Sequence, residues 1–180
     1  MRTVPATVTA VCAALSLALT ACAAQTTDPR ALAGTSANES LDKLLESYEL
    51  TLPGCKVEDL GFSGRSKEID KHLLLRFEAP KDCVNGYLDA HGVDRTRANT
   101  WPFPEFSIDG KELSRTRPPF ADSTMEKLDL KLDPEKTYGL HTRFRTPTGA
   151  RFTVLVVPRG DDGQEVYMVS THNGEDRVLG

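Results

Sequence analysis

Tyr138-Gly139-Leu140-His141-Thr142-Arg143-Phe144-Arg145, Arg151-Phe152-Thr153-Val154-Leu155-Val156-Val157 and Glu165-Val166-Tyr167-Met168-Val169-Ser170-Thr171 are three strand-forming runs that decide the fold. Pro147-Thr148-Gly149 turns the chain between the first two, and Pro158 to Gly163 turns it between the second and third. Connections this short make the three runs an antiparallel meander. In the first run Tyr138, Leu140, Thr142 and Phe144 alternate with His141, Arg143 and Arg145. One face is therefore expected to be apolar and the other basic.

Upstream, Lys71 to Glu78 alternates in the same way, with Leu73, Leu75 and Phe77 on one side and His72, Arg76 and Glu78 on the other. Pro80 ends that strand. Lys56 to Phe62 reads as an earlier strand, weakened by Gly61 and Gly64. Ser40 can cap a short helix whose apolar members are Leu41, Leu44, Leu45 and Tyr48. A second helix is expected over Asp82 to His91, with Cys83, Val84, Tyr87 and Leu88 at helical spacing and Gly92 at its stop. Residues 93 to 136 are rich in Pro-aromatic strings such as Trp101-Pro102-Phe103-Pro104, and only Leu128, Leu130 and Leu132 alternate there as in a short strand. The fold class is thus α+β: an antiparallel sheet of about five strands with one or two helices on one face.

The first 21 residues have a different character. Arg2, an apolar segment from about Val8 and small residues before Cys22 have the layout of a secretory signal. Leu19-Thr20-Ala21-Cys22 resembles the bacterial lipobox, in which an aliphatic and two small residues precede an obligatory Cys. The resemblance implies a lipoprotein whose Cys22 receives a diacylglyceryl thioether and becomes the first mature residue. Two acyl chains of about 30 methylenes in all, at about 0.8 kcal/mol each, would hold it to the membrane by about 20 kcal/mol. Cleavage after Ala24 by ordinary signal peptidase, or retention of the run as a membrane span, are the alternatives. The expected domains are a lipoprotein signal peptide over 1–21, a flexible Ala/Thr/Ser/Asn spacer over 22–39 and a single α+β domain over 40–180. Val166-Tyr167-Met168-Val169-Ser170 is also similar to the close of small exported lipoproteins from high-GC Gram-positive bacteria, a likeness that carries no activity.

The chain has 22 Lys+Arg against 26 Asp+Glu. Removing the leader takes Arg2 alone, leaving 21 against 26, a net charge of -5. That disfavours a nucleic-acid partner. Of the four cysteines, Cys12 leaves with the leader and Cys22 takes the lipid. Cys55 and Cys83 remain as an even pair in an oxidising compartment, so a disulfide is expected between them. It would close a loop of about 29 residues, worth about 3–4 kcal/mol. A metal or redox site would need further ligands or a Cys-x-x-Cys spacing, and neither is present.

If the core face is that of Leu73, Leu75, Phe77, Leu140, Phe144, Phe152, Val154 and Val156, then His72, Arg76, His141, Arg143, Arg145 and Arg151 share the opposite face. Such a patch could bind an anionic envelope ligand: a wall polymer, a carboxylate-bearing peptide or a lipid head group. Its bland counterpart is a solvated face paired with Glu78 and its neighbours. No catalytic residues are assigned. Gly61-Phe62-Ser63-Gly64-Arg65 lacks the last Gly of a nucleophile elbow, which leaves Ser63 as a turn residue. His72, His91, His141 and His172 read as surface residues without metal spacing, so no metal or other cofactor is expected. Arg159-Gly160-Asp161 and Asp161-Asp162-Gly163 are ordinary turn chemistry. Trp101, Phe103 and Phe106 could line a groove or cover a sheet edge.

The favoured reading is a lipid-anchored, non-enzymatic binding or accessory module on the outer face of the cytoplasmic membrane. A small exported hydrolase with a dispersed Ser/His/acid site, and a structural envelope interaction protein, are the alternatives.

Overall fold

The meander expected over 138–171 is the middle of the sheet. The computed structural model describes residues 28–35, 39–67, 71–97, 99–103, 107–111 and 117–171. Its strands are β1 (Glu58–Arg65), β2 (His72–Pro80), β3 (Asn99–Trp101), β4 (Tyr138–Arg145), β5 (Arg151–Arg159) and β6 (Gly163–Thr171). They form one six-stranded sheet in the order β1-β2-β6-β5-β4-β3, and every neighbouring pair is antiparallel. The helices are α1 (Leu41–Tyr48), α2 (Lys81–Ala90) and α3 (Asp122–Lys127). The protein is therefore α+β with a sheet-dominated core. Its sixth strand, β3, comes from the stretch that carried no strand pattern of its own.

Both faces of the sheet are covered, which differs from the single apolar face expected. On the first face Leu73, Leu75, Phe77, Phe152, Val154, Val156, Val166 and Met168 pack under Leu41, Leu44 and Tyr48 of α1 and Val84, Tyr87 and Leu88 of α2. On the second, Leu74, Leu140, Leu155, Tyr167 and Val169 pack with Trp101, Phe120, Leu128, Leu130 and Tyr138. Burial of consecutive residues in β5 and β6 follows from this two-sided cover. The short strand expected through Leu128, Leu130 and Leu132 does not form. Leu128 instead caps α3, and Leu128 and Leu130 fill the second core.

Local chemistry sets the helices. Ser40 accepts from the Lys43 amide at 3.4 Å and starts α1, which the left-handed Glu49 ends. Gly92, at φ +74°, ends α2 and lets the Val93 amide donate back to the Leu88 carbonyl at 3.1 Å. The Cys55–Cys83 disulfide, Cα to Cα 6.4 Å, ties the segment before β1 to the first turn of α2. No helix among the described residues is long and apolar enough to cross a membrane.

Residues 28–35 lie in the stretch expected as spacer, yet they belong to the folded body. The Phe62 amide donates to the Arg30 carbonyl at 3.0 Å and the Leu32 amide to the Phe62 carbonyl at 2.8 Å, so this strap covers the outer edge of β1. Asp28 holds it in place. Its carboxylate accepts from the Arg30 amide, from Arg30 Nε and Nη2, and from the Leu41 amide at the start of α1. These bonds, the Arg30 side chain first, hold the carboxyl well below the usual carboxylate range. Residues 28–35 are thus part of the folded body rather than of a free spacer. Cys22 and the rest of 1–27 lie outside the described residues.

Candidate functional site

A β-bulge in β4 decides which residues meet. His141 pairs with Val154 and Phe144 with Phe152, so Thr142 and Arg143 together stand opposite Thr153. The extra residue shifts the alternation. His141 and Phe144 both face α1 and α2, while Leu140 turns with Tyr138 to the second core. Simple alternation placed Leu140 and His141 the other way round.

The six residues expected to form one basic patch are accordingly divided. His72, Arg145 and Arg151 do share the second face at one end of the sheet, where Arg65 pairs with His72 and Arg145 with Arg151. Arg65 belongs to this row and was missed, because its strand was expected to end at Phe62. Arg76 is on the same face, but Nη1 donates to the Leu128 carbonyl at 3.1 Å, below the α3 turn. Its Nε is buried with no partner among the described residues. Arg143 sits in the bulge, close enough to Asp94 to favour its ionised form. His141 is on the opposite face and buried, at 8% exposure, rather than on the surface.

That imidazole borders a cavity of about 190 Å³ between α2 and the ends of β4, β5 and β6. Leu88, Val156, Pro158 and Gly139 give it an apolar floor. Asn85, Arg95, His141 and Gln164 give it polar walls. Helical spacing places Asn85, Leu88 and Asp89 on one side of α2. The Gly92 turn then brings Arg95 back over Asp89, with Nε donating to Oδ1 at 2.8 Å and Nη2 to Oδ2 at 3.0 Å. Burial first, and the Arg95 charge second, lower the His141 pKa from its ordinary value. The imidazole is therefore neutral at neutral pH, with one nitrogen to donate and one to accept.

The polar walls have unused hydrogen-bonding capacity. Gln164 Oε1 is buried and without a partner among the described residues. His141 and the Asn85 amide likewise have no hydrogen-bond partner among them, and Arg95 Nη1 has none. Polar groups bordering a cavity are the ordinary walls of a small-solute site, and Asn85, Arg95 and His141 border this one, whereas the buried Gln164 Oε1 is closed off from it.

The other candidates have structural partners. His91 Nδ1 lies 2.9 Å from the Tyr87 carbonyl, and its ring stacks on Phe144 at 4.3 Å. Ser63 is buried within β1 and is not a turn residue. Arg159 in the β5–β6 turn is bonded to Glu165. Trp101 Nε1 donates to the Arg117 carbonyl at 2.7 Å, and Trp101 covers the sheet end beside Tyr138 at 5.8 Å. Phe106 and His172 lie outside the described residues. No group of three or more His, Cys, Asp or Glu side chains that could hold a metal ion occurs among the described residues. Compared with protein-family models, curated proteins and solved structures, the chain matches none.

Proposed function

We propose that the protein is a lipid-anchored extracytoplasmic binding module, tethered through Cys22 to the outer face of the cytoplasmic membrane, which takes a small solute in the His141 cavity. The observation that carries the binding half is the convergence of Asn85, Arg95 and His141, each with unused hydrogen-bonding capacity, on one apolar-floored space. The lipobox-like Leu19-Thr20-Ala21-Cys22 supports the anchored half, and the disulfide between the two remaining cysteines fits an oxidising compartment. Because the strap begins at Asp28, the chain from Cys22 can reach at most about 20 Å. The body would then sit close to the bilayer rather than at the end of a long stalk.

A hydrolase using this cavity would need an activated nucleophile beside the imidazole. Among the described residues His141 is hydrogen-bonded to no serine or carboxylate that would form part of such a group. The anionic envelope ligand expected for a shared basic face loses its original geometry.

The test has two arms. A ligand-observed NMR screen of small solutes against the mature protein should give hits that disappear in Gly139→Val, whose side chain fills the cavity. In cells, wild-type protein should fractionate with membranes and Cys22→Ser should not. Hits that survive Gly139→Val would remove the cavity from the account, and membrane association of Cys22→Ser would remove the anchor.

A further inference from the structure

We infer that Arg65, His72, Arg151 and Arg145, which cross one end of the sheet in a line, rest on the anionic phospholipid headgroups of the bilayer and set how the tethered body stands. This rests on the Cys22 anchor proposed above and adds the surface that meets the membrane. The strand registers make the line. Arg65 is opposite His72, Arg151 opposite Thr171, and Arg145 opposite Arg151. The β2–β6 register, with Leu74 opposite Val169, sets His72 beside Thr171 two residues on. Directly paired residues point to the same face, so the line runs about 19 Å, four strand spacings of about 4.8 Å.

Arg145 and Arg151 are exposed and directly opposed, a like-charge arrangement that works against the sheet. Neither guanidinium has an ion pair or a side-chain hydrogen bond among the described residues. Behind the line on the same face stand Ser63, Leu74, Val169 and Thr153, none of them acidic. Two guanidiniums on backbones about 5 Å apart suit phosphate oxygens, which take forked hydrogen bonds.

The mature chain is net acidic, with 21 Lys+Arg against 26 Asp+Glu, so the acids must be held off the surface. Glu58 is opposite Glu78 and Glu78 opposite Glu165, which puts three carboxylates in a second line. His72 and Glu78 are six residues apart on β2, about 20 Å and at least twice the Debye length. A body standing on its basic end keeps those carboxylates beyond the screened range.

The tether allows this stance. The Ala31 amide donates to the Asp28 carbonyl, Ala31 bridges sideways to Phe62, and Phe62 is three residues from Arg65. Along the strand direction Asp28 is then at most about 17 Å above the line, up to about 7 Å for the turn and about 10 Å for the strand. The chain from Cys22 to Asp28 reaches about 20 Å. The line can therefore touch the bilayer while the acyl chains stay inserted.

The experiment uses the mature chain carrying Cys22→Ser, so that no acyl chain contributes, with vesicles of about one-third phosphatidylglycerol in phosphatidylcholine beside vesicles of phosphatidylcholine alone. At several millimolar lipid the protein should cosediment with the anionic vesicles at about 0.05 M salt and be released at about 0.5 M. Arg145→Gln with Arg151→Gln should weaken binding about 25-fold, about fivefold for each arginine. Lys131→Gln with Lys136→Gln, the same loss of charge ahead of β4, should change it less than about twofold. Equal effects of the two pairs would leave net charge alone and overturn the line. Equal binding to both kinds of vesicle, or binding to neither, would overturn it too. Binding to soluble poly(glycerol phosphate) with none to the anionic vesicles would replace the bilayer by a wall polymer. The high-salt wash that strips this contact leaves an acyl anchor in place, so fractionating wild type and Cys22→Ser after that wash tests the anchor separately.

Discussion

A Cβ placed on Gly139 would stand 3.4 Å from Nε2 of His141, so the side chain that one residue lacks is the space in front of the other's imidazole. Gly139 carries no positive-φ requirement and pairs regularly with Val156. A larger residue can therefore be put there without breaking the strand. Gly139→Val should keep or raise the melting temperature, because a β-branched residue suits a strand by up to about 1 kcal/mol. It should also abolish solute binding. Calorimetry paired with the solute screen checks this, and a large loss of stability would mean that the space is not open as described.

The His141 environment predicts a pH dependence of folding. Its folded pKa is lowered by burial and by Arg95, while the unfolded imidazole titrates near 6.5. The stabilisation from neutral His141 is complete above about 6.5 and is lost as pH falls through the lowered folded value. Denaturant midpoints measured from pH 7.5 down to 5 should decline, and His141→Gln should flatten the decline. An unchanged slope in the variant would assign the pH dependence to other groups.

Asp28 should matter more than its place in an Ala/Thr-rich tail suggests. Its carboxylate accepts four bonds, three from Arg30 within the strap and one from the Leu41 amide that joins the strap to α1. Asp28→Asn removes the charge and should cost about 2–3 kcal/mol, in the range of charge-assisted hydrogen bonds. Amide exchange at Leu32 and Phe62 should quicken in step, since those two bonds hold the strap on β1. Loss of stability without faster exchange there would place the effect elsewhere.

Arg145 and Arg151 face each other across β4 and β5 as a like-charge pair. Arg145→Glu should turn that into an attraction and raise stability by about 0.5–1 kcal/mol at low salt, less at high salt. Urea denaturation at two ionic strengths measures it. A destabilised variant would show that Arg145 serves a contact outside the strand pair.

The strands, the first two helices and the disulfide were legible because each rests on local spacing: alternation in 71–78 and 138–171, Leu41/Leu44/Tyr48 at helical intervals, and an even cysteine pair. Two-sided burial also left a trace, the unbroken Val154–Val157 and Val166–Val169 runs, although the alternation elsewhere pointed to one core face. The bulge left none. Counting by twos through His141 and Phe144 put the imidazole on the wrong side, and the basic patch dissolved with that error. The cavity was illegible for another reason: Asn85, Arg95, His141 and Gln164 come from distant parts of the chain. Arg95 lies in the 93–136 stretch, where only Leu128, Leu130 and Leu132 showed an alternation. Asp28 could not stand out either, because its partners include two backbone amides, which composition does not reveal.

Place and binding can be read together by native mass spectrometry of the protein extracted gently from its membranes and supplied with the tightest-binding solute from the screen. The account predicts a chain beginning at Cys22 with a diacylglyceryl modification, carrying one solute molecule that Gly139→Val does not retain. An unmodified chain starting elsewhere, or a solute bound equally by the filled variant, would contradict it.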